Sequence, residues 1–135
     1  MVPTNRRQKS KFEVLVQARD LAKYTLVITK NSNVFGEEYR TALTDDIVRT
    51  AKDIYIKSWT ANGIYVNDDA EYKWRHKLQI EAELLCNNLL ALISLAKKVY
   101  HLKDKRIKYW AGKVLSVKNL IKEWKTNDSK RYQAV

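Results

Sequence analysis

The chain has 135 residues, with 26 Lys and Arg against 15 Asp and Glu and a formal net charge of +11. Three Gly, one Pro and one Cys exclude an internal disulfide and an all-β domain, which needs turn signals every ~8–12 residues. No run approaches the ~18 apolar residues of a membrane span, and the start MVPTNRRQKSK lacks the apolar core of a signal peptide. A soluble, cytoplasmic, single domain over residues 1–135 is expected.

The first predicted helix covers about 11–29. Ser10 is placed as its cap and Glu13 as the returning partner of a capping box. Val14, Ala18, Leu21, Thr25 and Ile28 recur at steps of four and three, and KNSNVFG then breaks the pattern with turn-forming Asn and Gly. The second helix, about 37–62, carries Leu43, Ile47, Thr50, Ile54 and Ala61 on one face. Glu37, Glu38, Asp45 and Asp46 sit in its first turns, where the helix dipole favours acids, and Gly63 stands where a left-handed C-terminal residue is common.

The third helix, about 68–102, begins at Asp68 with Glu71 three positions on. Leu78, Ala82, Leu85, Leu89, Leu92, Ala96 and Val99 give it a heptad ladder, with Cys86 beside it as a small buried apolar residue. The polar start DDAEYKWRHK is expected to overhang the neighbouring helices. The fourth helix, about 105–126 with Asp104 as its cap, has Ile107, Trp110, Val114, Val117, Ile121 and Trp124 as its seam. The basic ends 1–9 and 127–135 read as flexible. Four helices with short connections give an all-α, antiparallel up-down-up-down four-helix bundle.

The residues offer little to a catalyst, so no catalytic residue, cofactor or metal site is assigned. His76 and His101 lie ~37 Å apart at helical rise. No Glu-x-x-His, His-x-x-x-His or Cys-x-x-Cys pattern occurs, and three glycines make no phosphate loop. Arg75 and His76 are adjacent, hence ~100° apart on the helix, which does not suit a helical ribonuclease. Asp45–Asp46 and Asp68–Asp69 are explained as helix starts.

Charge is where the sequence speaks. Residues 1–30 hold seven cations against two acids, residues 103–135 ten against three, and the middle is nearly neutral. Up-down-up-down topology brings both ends to one pole. Arg6, Arg7, Lys9 and Lys11 are thereby expected near Lys122, Lys125, Lys130 and Arg131. On the fourth helix, Arg106 and Lys113 flank the seam on one side, Lys118 on the other with Lys125, while Lys108 and Lys122 face outward. A helix that only needs solubility interleaves both signs at i,i+4. This one does not, and the surface suits phosphate contact without base readout. Asp68, Asp69 and Glu71 fall at the same pole and oppose it. Tyr55, Trp59, Trp74, Tyr100 and Tyr109 lie off the inner ladders and are assigned to a homo-oligomer interface, with a ring as the expected form; Tyr109, Tyr132 and Trp59 are also placed to stack on bases. The other reading open to this sequence is a structural or protein-interaction bundle whose charge only aids solubility.

The segments NVFGEEYRTALTDDIVRTAKDIY and LLALISLAKKVYHLKDKRIKYWAGKVLSVKNLIKEW make the chain, over roughly 12–125, similar to a known family. Phe35, Tyr39, Arg40, Leu43 and Ile47 fit its pattern, while Gly36 and Asp46 stand where its members often have Pro and Arg. It resembles the four-helix-bundle proteins encoded in intervening sequences of ribosomal-RNA genes, and most closely the accessory variability determinant proteins of diversity-generating retroelements. That resemblance implies a non-catalytic, basic, pentameric ring. Its implied partners are a reverse transcriptase, template-repeat RNA and the RNA/DNA hybrid, in support of mutagenic cDNA synthesis.

Overall fold

The computed structural model describes residues 4–133, and the side chains of residues 12–132. Among them there are four long helices and no strand: α1 (Thr4–Thr29), α2 (Asp45–Asn62), α3 (Asp69–Tyr100) and α4 (Asp104–Gln133). This is the all-α class expected, and it is consistent with a four-helix bundle. A 3₁₀ turn at Glu37–Tyr39 and a π-helical stretch at Arg40–Thr44 lead into α2. The expected second helix is thus one helical run whose first turns are wound irregularly.

α1, α2 and α4 close on their neighbours through the faces their sequence periods mark, except that on α2 Thr50 is half-buried and Ala51 and Ser58 are buried in its stead. Val14, Ala18, Leu21 and Thr25 of α1, and Ile47, Ile54 and Ala61 of α2, are buried. Trp110, Val114, Val117, Ile121 and Trp124 do the same for α4. Phe35, in the loop after α1, is fully buried and meets Tyr100 and Trp110 edge-on. Burying a large apolar side chain contributes ~1.5–3 kcal/mol, so these seams carry the fold. Trp110 also needs a partner for its indole N–H, and Nε1 donates to Thr25 Oγ1 at 3.1 Å, which explains a threonine in the α1 ladder.

The α3 ladder is rotated from expectation. Cys86 and Ile93 are buried with Leu78, Ala82, Leu89 and Ala96, while Leu85 and Leu92 are half-buried. A strict heptad drifts against the 3.6-residue turn, and the core follows the helix. By length and composition α3 alone among the described helices suffices to cross a membrane, with a third of that stretch buried in the bundle.

The ends depart most from the sequence expectations. α1 starts at Thr4, so Ser10 lies within the helix and not at its first residue; the Arg, Gln and Lys residues around it are good helix formers. α4 runs to Gln133, so the segment after Thr126 is helical and not a frayed tail. The start of α3 does not overhang, because the extended α4 covers it: Tyr72 meets Tyr132, and Arg75 meets Asp128.

The caps differ too. Asp68 does cap α3, its Oδ1 accepting from the Glu71 N–H at 2.8 Å, and Glu71 Oε1 accepts from the Asn67 N–H at 3.0 Å. Asp104 is the first residue of α4, and its carboxylate serves Lys97 at 2.7 Å. Gly63 keeps φ −77° and does not use its left-handed freedom. His101, placed by sequence inside the third helix, instead ends it at φ 55°.

Candidate nucleic-acid interface

The seam of α4 faces inward, so its other residues must face neighbours or solvent, and the cations divide accordingly. Lys105, Lys108, Lys122, Lys130 and Arg131 are exposed, whereas Arg106, Lys113, Lys118 and Lys125 are half-buried. Lys113 lies on the α1 side, its Nζ 5.1 Å from the Tyr109 ring centre and 5.4 Å from that of Tyr24. Arg106 is on the same side and lowers the Tyr24 phenol pKa against the larger upward effect of burial. Lys118 and Lys125 border α3. These flanks are as the sequence placed them.

The basic face is not continuous. Between Lys108 and Lys122 the exposed positions are Tyr109, Gly112, Leu115, Ser116 and Asn119, a gap in exposed cations of about 20 Å at helical rise. One cation group therefore marks the start of α4, and Lys122, Lys130 and Arg131 mark its end. Lys125 is withdrawn from the second group because its Nζ pairs with Glu83 of α3 at 2.8 Å, a neutralised cation that sequence alone had counted as free. The Arg131 guanidinium lies 5.2 Å from the Tyr132 ring centre; Tyr132 is half-buried.

Two acids of α4 are spent on α3. Asp104 holds Lys97, and this hydrogen bond lowers its carboxyl pKa below the ordinary range. Asp128 is buried against Arg75 and Gln79. Arg75 Nη2 donates to Oδ1 at 3.0 Å and Gln79 Nε2 to Oδ2 at 2.7 Å. Arg75 Nε also sits 2.8 Å from Oδ2, but off the hydrogen-bond angle, so this is a charge contact. The guanidinium further lies 5.3 Å from the Trp124 ring centre.

Arg6, Arg7, Lys9 and Lys11 belong to the first turns of α1, and their side chains lie outside the described residues. Further along, a groove of about 360 Å³ between α1 and α4 is lined by Glu13, Gln17, Asp20, Gly112, Lys113 and Ser116 among others. Two carboxylates against one ammonium make it a poor phosphate site.

The aromatics assigned to an interface fall into different surroundings. Tyr100 is used within the chain, its hydroxyl 2.7 Å from Thr44 Oγ1 and its ring against Phe35 and Tyr39. Tyr109 is exposed beside Tyr24. Trp59 stacks edge-on with half-buried Tyr55. Exposed Trp59, Tyr65 and Trp74 line an open groove of about 650 Å³ with Ile64, Asn67 and Glu71.

The Arg75–Asp128–Gln79 network was missed by sequence reasoning, though a signal existed. Asp128 continues the α4 seam four residues after Trp124, and Arg75 continues the α3 ladder three before Leu78. Opposite charges in register at one end of two seams mark a buried pair. Comparison with protein-family models, with curated proteins and with solved structures finds no match to this chain.

Proposed function

We propose that this is a non-catalytic accessory protein of a diversity-generating retroelement. In this reading it binds the reverse transcriptase and template RNA in the cytoplasm and supports mutagenic cDNA synthesis. The observation that carries its physical side is the exposed group Lys122, Lys130 and Arg131 at the end of α4, whose nearby acid Asp128 is consumed internally by Arg75. Exposed Glu123 stands beside Lys122, so the end of α4 presents three cations to one carboxylate, and an excess of cations attracts polyphosphate chains and releases counterions on binding. The retroelement assignment rests on the family resemblance of Phe35, Tyr39, Arg40, Leu43 and Ile47.

The reading includes an antiparallel up-down-up-down bundle. It is supported by the start of α3 lying against the end of α4, and by the end of α1 meeting the start of α4 through Thr25 and Trp110. The basic first turns of α1 then belong to the pole that carries Lys122, Lys130 and Arg131. It also includes a homopentameric ring, with Tyr55, Trp59, Trp74 and Tyr109 between neighbours. The decisive experiment is fluorescence anisotropy with structured RNA and with an RNA/DNA hybrid across a salt series, followed by pull-down of a retroelement reverse transcriptase. Salt-steep binding and co-capture are expected; a chain that binds neither leaves the alternative, a structural or protein-interaction bundle. The withdrawal of Lys125 into an ion pair favours that alternative.

A further inference from the structure

The outer face of α3 is unlike the rest of this basic surface. Ile80, Leu84 and Leu95 are exposed at 38%, 54% and 51%, with Asn87, Asn88 and Ala91 exposed between them. Steps of three and four put these residues on one stripe. From Leu78 to Ala96 the only charged residues are Glu81 and Glu83, and both are spent inside the chain, on Lys57 at 3.0 Å and on Lys125 at 2.8 Å. Lys77 and Lys98 border the stripe. On a chain of net charge +11, copies repel one another, and this charge-free face is where they can meet at least cost.

The stripe is also a chemical palindrome. It reads Lys77, Ile80, Leu84, Asn87, then Asn88, Ala91, Leu95, Lys98, with the same spacings from either end. A twofold axis crossing α3 between Asn87 and Asn88 sets Ile80 level with Leu95 of a second copy, and Leu84 level with its Ala91. The two asparagines then face each other, and a carboxamide both donates and accepts. A twofold contact requires such self-complementarity, and paired asparagines in an apolar seam fix register.

We infer that a second copy of this chain docks on the outer face of α3, the two α3 helices running antiparallel about that axis. This goes beyond the proposed function: the contact is isologous and joins copies in pairs, whereas a ring needs a heterologous contact. It also predicts an opposite response to salt. Lys77 and Lys98 of the two copies lie level, so screening strengthens self-association while it weakens nucleic-acid binding.

The test is sedimentation of the full chain at low and high salt, with cross-linking of cysteine variants by a short bis-maleimide. Native Cys86 is buried, so it leaves the background low. An even number of chains is expected, ten where the proposed ring forms, with pairing rising with salt and lost in Leu84→Glu, which halves the assembly and whose unchanged circular dichroism confirms folding. Ile80→Cys alone and Leu95→Cys alone should not cross-link, since like residues lie about 22 Å apart at helical rise, whereas their mixture should. A monomer or pentamer, or cross-linking of Ile80→Cys alone, overturns the inference. So does a monomer that floats with phospholipid vesicles, which makes a bilayer the occupant. RNA binding is unaffected by any of these outcomes and tests the function separately.

Discussion

Arg75 and Asp128, 53 residues apart in sequence, meet inside the bundle with their side chains only 5% and 6% exposed. Breaking one side of a buried ion pair leaves the other charge without water or partner, which typically costs about 3–5 kcal/mol. Asp128→Ala is therefore expected to lower stability by that amount in urea unfolding and to speed amide exchange over residues 126–133. Replacing both partners with apolar residues, Arg75→Met with Asp128→Leu, should recover most of the loss. A double variant no better than the single one would show that Gln79 and Trp124, not the ion pair, set the cost.

The turn after α3 stores strain at a single residue. His101 adopts φ 55° and ψ 46°, and its N–H and that of Leu102 both return to the Lys97 carbonyl. The geometry is required because Leu102 must turn back into the core, where it is 6% exposed. A side chain in the left-handed region costs on the order of 1 kcal/mol, and glycine does not incur it. His101→Gly is expected to raise the thermal midpoint by a few degrees. His101→Ala, which keeps the Cβ, should not.

Cys86 gives the fold an alkaline limit. Burial, aided by the charge of Glu83 and opposed by Lys118, pushes its thiol up to about 12, while an unfolded thiol titrates near ~8.5. The folded state retains the proton that the unfolded state loses. Stability from this group is thus fully present below the unfolded value and declines as pH rises towards 12, at about 1.4 kcal/mol per unit. Unfolding followed from pH 8 to 10.5 should show this slope in the wild type, reduced in Cys86→Ala. A maleimide should react slowly with the native thiol and quickly in denaturant.

How much of this was legible depended on what each residue's partner was. The seams of α1 and α4, and that of α2 apart from Thr50, whose place in the core Ala51 takes, followed from spacing because burial obeys local helical period, and Asp68 capped α3 as its motif required. The phase of α3 did not follow, since Leu85 and Cys86 differ by one step and only the neighbouring helices choose between them. Long-range polar pairing was the main loss. Asp128 looked like a surface residue in a polar tail and Lys125 like a free cation, until Arg75 and Glu83 from another helix took them. Counting charge along the chain overstated the face, because charge is cancelled across helices.

The cation group at the end of α4 makes the function testable by charge reversal at constant fold. Lys122, Lys130 and Arg131 are exposed, so Lys122→Glu with Lys130→Glu and Arg131→Glu should leave circular dichroism and the unfolding midpoint nearly unchanged. Each phosphate contact contributes about 0.7–0.9 to the slope of log affinity against log salt. Loss of three contacts should therefore flatten the slope by roughly two and weaken binding at low salt by at least tenfold. Lys52→Glu on α2, exposed and away from this group, changes net charge as much as any one of the three and should have a smaller effect than Lys122→Glu. Equal effects at Lys52 and Lys122 would mean that the whole +11 charge, and no particular surface, attracts the nucleic acid.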